Sequence, residues 1–159
     1  MALAMLGTAL TGCGSKDAAA QTPAENTQQT APVQQEQSQT EKALALINTF
    51  ATGDTDTAHS LLADGYIQHN LAYGTGADAF IGSVEYLASA DVKTTVNNIR
   101  AFEDGDKVFL QTIYNFAGVG EQVAFDIFRF DENGKIAEHW DVMETIADEA
   151  TWQNQNGKF

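Results

Sequence analysis

The hydrophobic period of this chain changes once, near Thr94, from about 3.6 residues to about 2. Before that point Leu44, Ile47 and Ala51, with Ala43, Leu46 and Phe50 beside them, predict a helix that Thr40 caps and Gly53 ends. Asp54 or Thr55 opens a second, shorter helix through Leu61 and Leu62. Asp64-Gly65 then turns the chain into an extended Tyr66-Ile67-Gln68-His69. A third helix is predicted over 77–89, with Phe80, Val84 and Leu87 on one stripe. Beyond Thr94 the alternation predicts four strands, at 94–102, 107–116, 122–130 and 135–143. Two of the three junctions carry strong turn signals, Glu103-Asp104-Gly105-Asp106 and Asn133-Gly134. Helices followed by hairpin-linked strands belong to the α+β class. The expected architecture is three N-terminal helices over one face of a curved antiparallel sheet, closing a blind pocket.

Composition divides the chain ahead of these elements. All 15 aromatic residues lie at or beyond Phe50, whereas both prolines and seven glutamines fall within 14–40. That segment cannot bury enough apolar surface to offset its ordering entropy and reads as a disordered tether. The domain is then 41–159. It holds nineteen of the 22 acidic residues and seven of the 8 basic ones, so most of the formal charge of −14 is its own. A surface this acidic repels phosphate, which argues against a nucleic-acid partner. The single cysteine, Cys13, excludes internal disulfides, CxxC redox pairs and thiol catalysis within the domain.

Residues 1–12 form an uncharged run of Ala, Leu, Met, Gly and Thr, too short to span a bilayer, that ends in Leu10-Thr11-Gly12-Cys13. This combination resembles a bacterial lipoprotein signal. The resemblance implies a signal peptide over 1–12, cleavage before Cys13 and a diacylglyceryl group on its thiol. The tether 13–40 would then hold an extracytoplasmic domain to the cell membrane by the lipid alone. A flexible coil of this length reaches roughly 30 Å r.m.s.. No Lys or Arg precedes the apolar run, so the start is expected upstream of Met1.

Register supplies the candidate chemistry. If Asn133-Gly134 is the two-residue loop of a type I′ hairpin, Arg129 faces Glu138, Phe128 faces His139 and Asp126 faces Asp141. Two ionised carboxylates with Cβ atoms about 5 Å apart repel, so in a dry site one keeps its proton near neutral pH. That is what a general acid/base requires. The same alternation puts Asp126, Phe128, Ala137, His139 and Asp141 on one face. Phe125, Ile127, Arg129, Glu138, Trp140 and Val142 lie on the other, as core or as a homodimer seam through Phe125, Ile127, Trp140 and Val142. The plain alternative is that both aspartates are solvated surface residues and His139 a structural histidine. His69 shares a side with Ile67 and not with Gln68, and the sequence leaves open which side is the pocket.

Three stretches carry a family resemblance: Tyr66-Ile67-Gln68-His69-Asn70, Asp126-Ile127-Phe128-Arg129-Phe130, and Asn133-Gly134-Lys135-Ile136-Ala137-Glu138-His139-Trp140-Asp141-Val142. Together they resemble SnoaL-like proteins of the nuclear transport factor 2-like superfamily. The resemblance implies a cone-shaped α+β fold with a deep pocket, usually dimeric. In the polyketide cyclase that names the family, an aspartate at the position of Asp141 is the acid/base of an intramolecular aldol condensation, and polar pocket residues occupy the positions of Asp126 and Gln68. His69 looks like the histidine of a YIQHNP stretch, with Leu71 in place of its proline.

The expected ligand is a small, partly apolar molecule. If the domain is an enzyme, the reaction is proton abstraction next to a carbonyl. Asp141 serves as base and returning acid, Asp126 raises its pKa, and His139 orients it or donates to the oxyanion. Gln68, His69 and Phe128 are the candidate ligand-binding residues. No cofactor is implied. The alternatives are a non-catalytic ligand-binding or dimeric assembly module, and a metal site of His69, His139, Asp126 and Asp141, which suit zinc by type but show no recognised spacing.

Overall fold

The computed structural model describes residues 36–159, so the expected signal, Cys13 and tether positions 13–35 lie outside the described residues. Helix α1 spans Gln39–Thr52. Its cap is Ser38, not Thr40. Ser38 Oγ accepts the Glu41 N–H at 3.1 Å and the Glu41 carboxylate accepts the Ser38 N–H at 2.8 Å. This reciprocal box satisfies two end donors where a lone threonine satisfies one, and it starts the folded part inside the segment read as tether. Gly53 ends α1 at φ 74, where a Cβ would meet the Ala88 Cβ at 2.8 Å. Left-handed backbone and close helix approach therefore both require glycine there.

Helix α2, Thr55–Leu61, is capped by Asp54. Strand β1, Leu62–Gln68, follows at once, with Asp64-Gly65 inside it and not at a turn. The irregularity of its pairing between Leu62 and Ile67 absorbs the glycine. Helix α3 spans Ala77–Ser89 as expected. The remaining strands are β2 (Thr95–Asp104), β3 (Lys107–Asn115), β4 (Gln122–Phe130) and β5 (Ile136–Thr145). They form an antiparallel meander, and the sheet order is β1-β5-β4-β3-β2. Because β1 joins β5 in parallel, the sheet is mixed and not wholly antiparallel. Leu46 and Ile47 of α1 and Phe80 and Val84 of α3 bury themselves with Val108, Leu110, Phe128 and Ile136 of the sheet.

The β4–β5 hairpin has the expected register for an unexpected reason. Only Gly134 takes a left-handed φ, 69, so the turn is not type I′, which needs positive φ at both central residues. Gly134 N–H instead bonds Asp131 O at 3.0 Å and Asp131 N–H bonds Lys135 O at 2.8 Å. The Asp131 carboxylate accepts from the Asn133 and Lys135 amides at 2.9 Å each. Phe130 therefore pairs with Ile136, and an irregularity before Arg129 restores Arg129 opposite Glu138. Two one-residue departures cancel. Their local consequence is that Ile136, wholly buried, takes the core place expected of Ala137.

Candidate functional site

Asp126 of β4 and His139 and Asp141 of β5 project into the space between sheet and helices, where a cavity of about 480 Å³ opens. Asp126 lies directly opposite Asp141, and Phe128 opposite His139. The side chains of both aspartates are 4 % exposed. At this polar end the cavity also meets Tyr66, Gln68 and Tyr114. Its walls are apolar and aromatic, with Phe50, Phe80, Phe116, Leu87 and Met143 inside and Tyr73, Tyr86 and Val119 more exposed.

The hydrogen bonds run in one direction. The Asn70 N–H donates to Gln68 Oε1 at 2.9 Å, so the Gln68 NH₂ faces His139 Nδ1, also at 2.9 Å. Nδ1 accepts, which puts the ring proton on Nε2. Nε2 points at Asp126 Oδ1, 3.2 Å away, and lies 3.9 Å from Asp141 Oδ2. Tyr114 Oη donates to Asp126 Oδ2 at 3.0 Å. Asn70 Nδ2 donates to Asp141 Oδ1 at 2.6 Å. Both Asp126 oxygens are thus engaged, whereas Asp141, which lines the cavity, has one oxygen held and the other without a donor in hydrogen-bonding range among the described residues.

Burial pushes the Asp141 carboxyl above the ordinary aspartate range, against the lowering influence of the Asn70 bond and of His139. The charge of Asp126 adds to the rise in the expected direction, but it is the smallest cause and desolvation the largest. The Tyr66 and Tyr114 hydroxyls are driven well up, by burial first and then by the neighbouring carboxylates.

Gln68, and not His69, lines the cavity with Asp126, His139 and Asp141, which settles the side the sequence left open; Phe128 does not line it. With Gln68 inward, period 2 sends His69 outward. There its Nε2 lies 2.8 Å from Glu138 Oε2 and its ring stacks on Trp140, centroids 4.3 Å apart. Phe128 is wholly buried beneath His139, stacked at 4.3 Å and 13°. It supports the ring and contacts no ligand space. The four-ligand metal set is not assembled, since donor atoms of Asp126, His139 and Asp141 lie within 4.8 Å of one another while His69 is on the other face. Asn70, Tyr66 and Tyr114 are site residues to which the sequence reading gave no role. Tyr114 needs the β3–β4 register, Leu110 opposite Asp126, and that junction has no Asn-Gly or Asp-Gly signal to fix it.

The outer face of the sheet leaves Ile67, Phe125 and Val142 exposed, at 45 %, 54 % and 73 %. The C-terminal segment returns along this face far enough for Gln111 Nε2 to donate to Lys158 O at 2.9 Å.

Three helices over one face of a five-stranded mixed sheet, with a polar-ended cavity between the layers, define the nuclear transport factor 2-like fold. Within it, the family description SnoaL-like domain matches residues 43–139, and the chain belongs to that family. No curated protein matches the chain. Among solved structures, an NTF2-like protein from Cytophaga hutchinsonii aligns with TM-score 0.60 and 16% identity, over 70% of this chain and 95% of its own. IdmH, a candidate polyketide cyclase from Streptomyces antibioticus, aligns with TM-score 0.55 and 18% identity, over 68% and 93%. An LEH-like epoxide hydrolase of M. tuberculosis gives TM-score 0.55 and 18% identity, over 65% and 80%. At these identities the likeness is one of fold.

Proposed function

We propose that this chain is a lipid-anchored, extracytoplasmic protein whose SnoaL-like domain binds a small, partly apolar molecule and moves a proton next to a carbonyl. The observation that carries the chemistry is Asp141, a buried carboxyl with one oxygen fixed by Asn70 and the other free toward the cavity. Asp141 Oδ2 takes the proton from carbon, the electron pair moves onto the carbonyl oxygen, and Asp141, having exchanged that proton with water, returns one at the product carbon as the carbonyl re-forms. His139 Nε2–H is committed to Asp126, so the donor to the developing oxyanion is the Tyr66 hydroxyl. That hydroxyl is buried on the cavity wall and otherwise only accepts a long, 3.4 Å contact from Gln68. Asp126 then serves to hold His139 and Tyr114. The polyketide cyclase and epoxide hydrolase neighbours support acid/base work in a cavity of this kind.

The test is exchange in deuterated water. Incubated with a panel of small ketones, the wild type should speed deuterium uptake at the carbon beside the carbonyl, and Asp141→Asn should abolish it. Ketone binding without any exchange would assign the domain as a non-catalytic binding module. The anchor rests on Leu10-Thr11-Gly12-Cys13. Expressed with a complete signal, the protein should fractionate with membranes and Cys13→Ala should release it. The exposed apolar groups of the outer sheet face support a homodimer as the assembled state.

A further inference from the structure

We propose that the ligand of the cavity is a small organic cation, with an ammonium or quaternary ammonium nitrogen set among apolar groups. This rests on reading the cavity as a small-molecule site and names the chemical class that it takes.

Charge carries the inference. Asp126 and Asp141 stand side by side with 4 % of each side chain exposed, yet among the described residues no Lys or Arg lines the cavity. What touches the two carboxylates is a phenol hydroxyl, an imidazole N–H and an amide, from Tyr114, His139 and Asn70. A buried carboxylate pair without a cationic side chain is costly, and a positive ligand offsets that cost where a neutral one does not and an anion aggravates it. Independently, Asp141 Oδ2 has no hydrogen-bond donor in range among the described residues, His139 Nε2 being 3.9 Å away. An acceptor without a donor, on a side chain buried this deeply and facing the cavity, is a place for a ligand N–H or N–CH₃. The remaining lining includes Phe50, Phe80, Phe116, Tyr73 and Tyr86, aromatic groups of the kind that attract a cation and accommodate its alkyl groups. The acidic domain adds a field that draws cations in. A bare metal ion would find its three donors at one end, with His139 Nε2 already committed to Asp126, and aromatic walls elsewhere. A cationic nitrogen beside the pair also favours the ionised form of Asp141, the form that acts as a base.

Three probes of one shape test this on the full chain: choline, its neutral isostere 3,3-dimethylbutan-1-ol, and the anion 3,3-dimethylbutanoate. Calorimetric titration at neutral pH should give choline an affinity at least about 10-fold above the alcohol, with no binding of the carboxylate. Asp141→Asn should bring the choline and alcohol affinities together, and Asp126→Asn repeats the comparison if the first variant is poorly folded. Equal wild-type affinity for choline and the alcohol overturns the charge class and leaves the small-molecule reading standing. Failure of all three to bind overturns the proposal and counts against that reading as well. Displacement of choline by zinc or magnesium, lost in Asp141→Asn, would reassign the pair as a metal site and overturn the proposal too.

Discussion

Gln68 and His139 meet through Gln68 Nε2 and His139 Nδ1 at 2.9 Å, and the direction of that bond is set by a third residue. The Asn70 amide occupies Gln68 Oε1, so only the NH₂ group remains to face the ring. Gln68→Glu replaces that donor by an acceptor and should move a ring proton onto Nδ1. Nitrogen-15 correlation spectra of the imidazole read this directly; an Nδ1 that stays unprotonated in Gln68→Glu would overturn the assignment. Gln68→Leu leaves Nδ1 and the Asn70 N–H without partners and should cost about 1–3 kcal/mol in urea unfolding.

Asp141 gives a pH dependence of definite sign. A carboxyl raised in the fold binds more protons folded than unfolded. Its contribution to stability is therefore full below the unfolded value and is lost as pH rises through the raised one. Asp141→Asn removes that loss and keeps an oxygen for Asn70. The variant should be more stable than wild type at neutral pH, by a few tenths to about 1 kcal/mol since the group borders the cavity, and not at low pH. Equal melting temperatures at pH 7, or a gain confined to acid, would contradict it.

The α3 helix and the four meander strands were legible in the sequence because each depends on local periodicity, whereas the pairing of Asp126 with Asp141 came out as read only because the different turn and the irregularity between Arg129 and Phe130 cancel. The parallel pairing of β1 was not legible. It joins residues separated by α3 and three further strands, and no local signal encodes such a distance. His69 and Phe128 show the same limit at the site. Period 2 fixed that His69 and Gln68 part company, but only the placement of β1 beside β5 says which goes inward. Phe128 shares the face of Asp126 and His139, yet facing inward is not the same as reaching the cavity. At Phe128 the space above is already filled by the His139 ring.

That stacking sets the next expectation. Phe128 is wholly buried and carries the His139 ring on its face. Phe128→Ala leaves a void under the ring and should destabilise the domain by about 3–5 kcal/mol in urea unfolding. Phe128→Leu should cost less while still removing the aromatic support, so it should broaden the His139 ring signals in a protein that remains folded. A loss under about 1 kcal/mol for Phe128→Ala would place Phe128 outside the core.

The outer face tests assembly. Trp140 is partly covered by the His69 ring, and the C-terminal segment covers Gln111, but Phe125 opposite Gln111 and Val142 opposite Phe125 stay exposed. The chain's own tail therefore does not cover this patch, and a second copy related by a two-fold axis would bury the same residues from both sides. Sedimentation of the full chain at tens of micromolar should give twice the chain mass. Val142→Glu introduces a charge at a position 73 % exposed, so it should halve the mass without unfolding the protomer. Trp140→Glu should also halve it, with an added loss of stability because the stack on His69 goes with it. A wild-type monomer, or a dimer that survives both substitutions, would move the seam away from this face.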